Sequence, residues 1–317
     1  MDNICHTLVG AALAESGLRR RTRLAIPILL IGANLPDLDV LAYVRGGLFA
    51  LSYGRGWTHG VLALIVLPLV LTGVMIAWGR LIRSRNPAPL DPAQLLVLST
   101  IAVWSHPFLD LLNTYGVRLL MPFSQQWFYA DTLFIVDPWL WLLFGGGAVW
   151  SWLLRRRGRA AAVAERPARL ALTGAAVYIG AMGVSAAAGR RMVYVEAIAD
   201  GLNPRATMVA PRPIDPFVRS VLIRTPDGYR LGRFRWLGSP SLRLDPRPLP
   251  TGFDRADVAI AAASPAGKTF LKWSRFPAAA VREGDSGVVV RFYDLRYAGR
   301  EGDSFAAVEV DVRQRER

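Results

Sequence analysis

The chain has 317 residues, of which 52% are hydrophobic and 20% charged, with a formal net charge of +14. This length allows two domains, and the positive mean hydropathy of +0.28 predicts membrane segments on part of the chain. Much of the basic excess of the N-terminal part lies in short runs beside apolar segments, which is typical of topology determinants and argues against a nucleic-acid surface. The single cysteine, Cys5, excludes an intrachain disulfide.

The first 44 residues predict two helices, the second of which is interrupted. The stretch HTLVGAALAESG is rich in small residues and helical in pattern. The stretch RLAIPILLIGANLPDLDVLAYV is apolar, but Asn34-Leu35-Pro36-Asp37 breaks it, because proline removes a helical hydrogen bond. Asp37 and Asp39 follow the break, and irregular backbone at membrane depth is tolerated where it lines a cavity.

Four further segments have the length and apolar character expected of membrane helices. They cover residues 61–79, about 92–113, 138–154 and about 170–188. The first of them contains no charged residue, and Asp137 before Pro138 predicts a capped start for the third.

Residues 192–317 have a different pattern, with frequent charges and short β-type runs separated by turn signals such as PDG, SPAG and EGDSG. The predicted strands are SVLIRT, GYRLGRFRW, DVAIAAA, KTFLKWSRF, GVVVRFYDL and FAAVEVDVR. The sequence therefore predicts an α-helical polytopic membrane domain at residues 1–190, followed by a small, mainly antiparallel β domain at residues 191–317.

Three groups of arginines predict the orientation of the membrane domain. They lie within residues 19–23, 80–85 and 155–159, and the positive-inside rule assigns all three to the cytoplasmic side. Threading the helices between these groups brings the intramembrane histidines and aspartates to the opposite, outer face, and the β domain with them. The pair Arg190-Arg191 opposes this scheme, and we assign it to the start of the β domain, where the charge rule is weak.

The spacing of His106 and Asp110 predicts that both side chains lie on one face of a helix, since residues i and i+4 are neighbours there. Imidazole and carboxylate groups are zinc ligands, and ionisable residues inside a membrane are functional by default. Convergence of all three histidines with these carboxylates predicts one metal site. The predicted ligands are His6, Asp37, Asp39, His59, His106 and Asp110.

Several short motifs resemble the membrane-bound metal-dependent hydrolase family typified by the bacterial inner-membrane protein YdjM. They are CHTLVGAAL, GANLPDLDV, RGWTHG, SHPFLDLLNTYGVRLLMPFS and VDPW, and the resemblance covers roughly residues 1–190. The order of the His and Asp motifs is also similar, more weakly, to zinc-dependent phospholipase C enzymes. These resemblances imply a bacterial inner-membrane hydrolase that cleaves a phosphoester through a His/Asp metal cluster.

The resulting hypothesis is a hydrolase that takes a lipid or lipid-linked substrate and uses Zn²⁺, with Mn²⁺ or Fe²⁺ as alternatives. The candidate catalytic carboxylates are Asp37, Asp39 and Asp131. Two interpretations of Arg212 and Arg219 stay open: they contact a phosphate group, or they are solvated loop residues. Two other hypotheses stay open, an ion- or proton-coupled transporter and a membrane protein whose metal only holds helices together.

Overall fold

The computed structural model describes residues 1–82, 90–284, 287–297 and 306–312. Arg83 and Arg85, two members of the second arginine group, lie outside these residues, as do part of the EGDSG turn and both ends of the FAAVEVDVR run. The chain divides into two compact units. The helical unit comprises Met1–Val40, Gly54–Ala187 and Ala210–Pro216, and the β unit comprises Leu41–Tyr53, Ala188–Val209 and Phe217–Arg317.

The helices of the described residues are α1 (Asn3–Glu15), α2 (Ala25–Gly32), α3 (Gly47–Tyr53), α4 (Val61–Leu81), α5 (Pro92–Leu111), α6 (Pro138–Arg156), α7 (Ala161–Ala164), α8 (Arg166–Ala199), α9 (Ala256–Ala263) and α10 (Pro265–Trp273). Two 3-10 helices cover Leu18–Arg20 and Leu35–Arg45. The predicted break in the second segment is confirmed, since α2 and the Leu35–Arg45 helix meet at a bend of 45°.

Small residues set the distances between the helices that surround the polar side chains. A Cβ atom on Gly10 of α1 would lie 2.6 Å from the carbonyl oxygen of Leu29 on α2. A Cβ atom on Gly32 of α2 would lie 2.6 Å from the Cβ of Ala102 on α5. These two glycines therefore let α1 approach α2, and α2 approach α5, more closely than larger residues would. The start of α1, the end of α2 and the end of α5 are thereby brought together.

Among the described residues, two helices are long and apolar enough to cross a membrane, Val61–Leu81 and the Ala161–Ala199 segment, or three if the bent pair counts as one span. Two of the four predicted spans, 61–79 and about 170–188, are therefore confirmed as candidates, and the other two stay predictions. The segments at 92–113 and 138–154 form α5 and α6. Neither helix is as apolar as the two candidate spans, because α5 contains His106 and Asp110 and α6 contains glycines and tryptophans.

The strands of the described residues are β1 (Ala206–Pro211), β2 (Val218–Thr225), β3 (Gly228–Arg235), β4 (Ser241–Leu244), β5 (Pro277–Gly284), β6 (Gly287–Asp294) and β7 (Ala307–Asp311). They form a four-stranded sheet in the order β1-β2-β3-β4 and a three-stranded sheet in the order β5-β6-β7. The pairings β2–β3, β3–β4, β5–β6 and β6–β7 are antiparallel. The predicted fold class, a helical membrane region followed by small antiparallel sheets, is confirmed.

Two predicted strands are wrong. DVAIAAA forms α9 and KTFLKWSRF lies largely in α10. The SPAG sequence between them is a helix start, in which Ser264 accepts a hydrogen bond from Gly267 N–H and Pro265 occupies the first helical turn.

Candidate metal centre

Four side chains from three parts of the helical unit converge at one point. Asp37, His59, His106 and Asp110, here called the His/Asp group, each offer one ligand atom, and these atoms all lie within 4.8 Å of one another. His106 Nε2 lies 3.3 Å from both Asp37 Oδ1 and Asp110 Oδ2, and His59 Nε2 lies 3.2 Å from Asp110 Oδ2. The two imidazoles and Asp110 are fully buried, while the Asp37 side chain is 15% exposed.

The local structure of each segment explains this convergence. His106 and Asp110 lie one turn apart on α5, as their spacing predicts. Asp37 lies in the first turn of the 3-10 helix that follows the break after α2. His59 lies two residues before α4 begins, in a turn closed by its own N–H donating to the Gly56 carbonyl at 3.1 Å.

The remaining nitrogen of each imidazole has its own partner. His106 Nδ1 lies 2.7 Å from the carbonyl oxygen of Ala33, so Nδ1 carries the proton and the Nε2 lone pair faces the group. His59 Nδ1 lies 2.9 Å from Thr58 Oγ1 and 3.6 Å from Asp39 Oδ2. Metal-binding histidines are usually oriented in this way by a carbonyl or carboxylate on the far nitrogen. Burial lowers the pKa of the His59 imidazole, which favours the neutral ring that binds metals.

Unsatisfied atoms at the centre of the group test whether a metal ion fits. Nε2 of His59 and Nε2 of His106 are buried without a hydrogen-bond partner. A buried polar atom left in this state costs about 1–3 kcal/mol, so native structures rarely contain several together. Coordination of one divalent cation would satisfy both nitrogens, and the nitrogen and oxygen donor set suits such an ion. The residues therefore fit a metal.

His6 lies beside the His/Asp group. Its ring is stacked on that of His106 with centroids 3.6 Å apart, and its Nε2 lies 3.4 Å from Asp110 Oδ1. Both ring nitrogens of His6 are buried without a hydrogen-bond partner. The Met1 amino group also contacts Asp110 Oδ1. Asp110 therefore presents one oxygen to His59 and His106 and the other to His6.

The two other predicted carboxylates occupy different places. Asp39 lies behind His59 and also accepts a hydrogen bond from Arg55 N–H at 2.7 Å, so it supports the group from outside. Asp131 is fully buried in a left-handed backbone conformation with φ 52°. It is not a member of the His/Asp group, and its neighbours Ala130 and Thr132 donate to the carbonyls of Leu111 and Leu112.

Two arginines near the group were not among the predicted site residues. Arg55 forms an ion pair with Asp110 Oδ2. Arg118 donates from Nη2 to the Gly54 carbonyl at 2.6 Å and from its backbone N–H to the Arg55 carbonyl at 2.8 Å. The only sequence signal for Arg55 is its place between two glycines, Gly54 and Gly56. The arginine weighed as a phosphate contact, Arg219, is fully buried in β2 and donates to the Val209 carbonyl.

Comparison with known proteins shows the family of this chain. The family model described as "YdjM inner membrane protein" matches residues 1–191. The chain belongs to this family. It is a membrane protein by family and by its apolar helices, and the His/Asp group lies within the part that YdjM proteins share with it.

A curated relative is "Uncharacterized protein YfhP" of Bacillus subtilis (strain 168), which is 23% identical over 113 residues. That stretch covers 36% of this chain and 32% of YfhP, so the chain spans about a third of that relative's length. No solved structure matches the chain. The weaker motif similarity to zinc-dependent phospholipase C is not shown by these comparisons.

Proposed function

We propose that this chain is a membrane-bound, metal-dependent hydrolase that cleaves a phosphoester in a lipid or lipid-linked substrate. The observation that carries this proposal is the His/Asp group, in which buried imidazole nitrogens without hydrogen-bond partners face two carboxylates. Zn²⁺ suits imidazole and carboxylate ligands, and Mn²⁺ and Fe²⁺ are the alternatives. A bound divalent ion lowers the pKa of water to about 7 and polarises the phosphoryl group.

The chain's own residues have separate roles in this proposal. His59, His106 and Asp110 would hold the ion, and the partly exposed Asp37 would act as the base. In hydrolysis, the water oxygen forms a new P–O bond while Asp37 accepts a proton from that water. The ester P–O bond breaks, its electron pair goes to the leaving oxygen, and Asp37 returns the proton to that oxygen. Asp39 orients His59 and does not react.

A second ion is supported by the position of His6. Asp110 Oδ1 faces His6 while Oδ2 faces the other two imidazoles. His6 and Asp110 would therefore be the residues that hold a second ion. Two-metal sites hold their ions about 3.5–4 Å apart. Asp131 is not one of the four members of the His/Asp group, and we assign it no catalytic role.

A lipid substrate is supported by the surroundings of the group. Helix α4, which begins just after His59, and helix α5, which carries His106 and Asp110, expose large apolar side chains. These include Leu62, Ile65 and Leu69 on α4 and Phe108 on α5. A site beside such surfaces can receive a substrate laterally from the bilayer. We further propose that the group faces the outer side of the inner membrane and that the β unit is extracytoplasmic.

Hydrolysis of defined phospholipids tests this function. Detergent-purified protein with measured metal content is incubated with short-chain phosphatidic acid and phosphatidylglycerol, and released phosphate or alcohol is quantified. Metal-dependent turnover that disappears in His106→Ala, and persists in Trp104→Phe two residues earlier on the same helix, is the expected result. Absence of turnover on any phospholipid or phosphomonoester by metal-loaded protein would refute the hydrolase assignment.

A structural metal is the second candidate, and the complete burial of three of the four group members favours it. A structural ion has a closed set of four protein ligands, whereas a catalytic ion keeps a position open for water. X-ray absorption spectroscopy of the metal-loaded protein separates the two. Four protein ligands and no exchangeable oxygen indicate the structural role.

A further inference from the structure

The arginine beside the His/Asp group lies on its accessible side. Arg55 contacts the same oxygen, Asp110 Oδ2, that faces His59 and His106. The Arg55 side chain is 17% exposed, whereas both imidazoles and Asp110 are fully buried. Arg55 is thus partly exposed, as are Asp37 and Asp39, whereas the rest of the group is closed to solvent.

The loop that carries Arg55 is held by hydrogen bonds at the peptide groups on both sides of Arg55. Arg55 N–H donates to Asp39 Oδ2 at 2.7 Å, and the Arg55 carbonyl accepts from Arg118 N–H at 2.8 Å. Its backbone is left-handed, with φ 56°, a conformation that costs a non-glycine residue on the order of 1–2 kcal/mol. Strain of this kind persists only where surrounding contacts enforce it, and it concentrates at binding sites. The loop therefore holds this guanidinium in one place.

A second guanidinium supports the same loop. Arg118 lies over the Trp127 ring at 5.0 Å and donates to the Gly54 carbonyl. A Cβ atom on Gly56 would lie 2.8 Å from Nη2 of Arg118, so glycine at this position leaves room for that side chain. Arg55 itself lies over the Tyr115 ring at 5.2 Å, which orients the plane of its guanidinium.

The charges around the group predict what the site attracts. Asp37, Asp39 and Asp110 contribute three negative charges, and Arg55 and Arg118 contribute two positive charges. The Met1 amino group, which contacts Asp110, adds a third positive charge, so a bound divalent cation would leave the site with a net positive charge. A cation held by Asp110 would also weaken the pairing of that carboxylate with Arg55, and the guanidinium would then have donors for another anion.

We propose that Arg55 is a substrate-binding residue that holds a phosphoryl oxyanion beside the metal centre, with Arg118 as the positioning residue of its loop. The inference rests on the proposed function, since it names the part of the substrate that the centre recognises. Arginine suits this role because its planar fork donates two parallel hydrogen bonds to phosphate. The phosphoryl group belongs either to a lipid head group or to a soluble phosphoester.

Binding of inorganic phosphate tests the proposal without requiring turnover. Full-length, metal-loaded protein in detergent is titrated with orthophosphate by calorimetry, after the metal content of each sample is measured. Wild type is expected to bind, and Arg55→Gln is expected to bind about 10–100-fold more weakly with the same metal content. Arg55→Lys retains the charge without the fork and is expected to fall between them. Arg45→Gln is the matched control, since Arg45 is an exposed arginine over the Phe49 ring.

Three results would overturn the proposal. They are phosphate binding that is equal in wild type and Arg55→Gln, no phosphate binding by metal-loaded wild type, and loss of metal in both Arg55 variants. The last would show that Arg55 serves only to hold Asp110. Wild type that binds phosphate through Arg55 but hydrolyses no phosphoester would instead refute the hydrolase and leave the anion site standing.

Competition binding distinguishes a lipid head group from a soluble phosphoester as the source of the phosphoryl group. Dihexanoyl phosphatidic acid and glycerol 3-phosphate carry the same head group and differ in their acyl chains. Tighter competition by phosphatidic acid, lost in Arg55→Gln, indicates a lipid head group. Equal competition by the two compounds, also lost in Arg55→Gln, indicates a soluble phosphoester.

Discussion

His106 is held at both nitrogens of its ring, one by the Ala33 carbonyl and the other among the carboxylates of the His/Asp group. Its pairing with Asp110 follows from spacing along α5 and could be predicted from the sequence. The Ala33 contact could not, because it depends on how closely α2 approaches α5. The spacing of a motif thus gives the ligand pair, while the contact that fixes the tautomer comes from tertiary packing.

Asp39 gives a sharp prediction at this scale. If Asp39 orients His59 without binding the ion, Asp39→Asn lowers metal affinity by about 10–100-fold and leaves the number of bound ions unchanged. Competition with a chromophoric chelator measures the affinity, and elemental analysis measures the stoichiometry. Asp91→Asn is the matched control, because Asp91 caps the start of α5 by accepting from Ala93 N–H and Gln94 N–H. Loss of a whole equivalent of metal in Asp39→Asn would make Asp39 a ligand.

Arg55 shows why part of the site could not be predicted from the sequence. A single arginine between two glycines has no spacing that links it to a carboxylate 55 residues away, and only the fold brings it to Asp110. Asp131 is the opposite case. It was a candidate catalytic carboxylate from the sequence, but the fold leaves it outside the His/Asp group.

At the scale of helices, Gly32 determines how closely α2 approaches α5. An added methyl group would lie 2.6 Å from Ala102 Cβ and 3.0 Å from Leu71 Cδ2, and neither neighbour has a long flexible side chain. Gly32→Ala is therefore expected to destabilise the protein by about 1–3 kcal/mol, the usual cost of overpacking. The same change moves Ala33 away from His106, so metal affinity is expected to fall as well.

Gly73→Ala on α4 provides the comparison, since nothing lies within 4 Å of a Cβ atom there. Alanine favours helix over glycine by about 1 kcal/mol, so this variant is expected to be neutral or more stable. Thermal unfolding in detergent measures both variants. Equal midpoints for the two would show that the approach of α2 to α5 is not limited by Gly32.

The β unit shows where short-range patterns mislead. Alternating and β-branched runs correctly predicted β2, β3, β6 and β7. DVAIAAA also read as a strand, yet its alanines favour helix and bury only Val258 and Ala261, three residues apart. Phe270 and Trp273 of α10 share that spacing. The Ser264 cap and Pro265 favour the start of a helix, whereas the sequence analysis interpreted the same residues as a turn.

Asp294 at the end of β6 is the polar centre of this unit. Its carboxylate accepts hydrogen bonds from Ser274 Oγ at 2.7 Å, Arg275 N–H at 2.8 Å and Arg296 Nε at 3.0 Å. Burial opposes ionisation of Asp294, but the Arg296 guanidinium and these hydrogen bonds hold the pKa of the carboxyl below its usual range. Asp294→Asn removes the charge partner of a buried arginine and is expected to cost about 3–5 kcal/mol.

The pH dependence follows from the direction of this shift. A lowered folded-state pKa gives stabilisation that is fully present above the unfolded value of about 3.9 and is lost as the pH falls through the folded value. Wild type is therefore expected to exceed Asp294→Asn in stability by a constant amount above about pH 5, and the gap narrows below about pH 4. Hydrogen exchange of β5 and β6 in the full chain measures it. A gap that grows on acidification would contradict this role.

At the scale of the whole molecule, arginines of the first and third groups contact residues near the ends of other helices in the helical unit. Arg155 pairs with Glu15 at the end of α1, and Arg20 pairs with Glu165 just before α8. Arg23 donates to the Gly79 carbonyl near the end of α4. These contacts join residues of the three arginine groups or their neighbours, which supports the prediction that the groups share one side of the membrane.

The orientation of the chain is tested by labelling single cysteines with a membrane-impermeant maleimide in spheroplasts. Asp227→Cys, in the exposed β2–β3 turn, is expected to react in intact cells, and the exposed Arg157→Cys only after permeabilisation. The parent chain is the control, because its Cys5 is buried. The reverse pattern would place the β unit in the cytoplasm and overturn the proposed topology.

The metal content per chain of detergent-purified protein tests the central claim most directly, with His106→Ala measured beside wild type. One or two equivalents of a transition metal in wild type, lost in His106→Ala while Trp104→Phe retains them, is the predicted result. Well-folded wild type that holds no metal after repletion would contradict it. The buried histidines and aspartates would then be ion pairs that hold the helices together or that conduct protons.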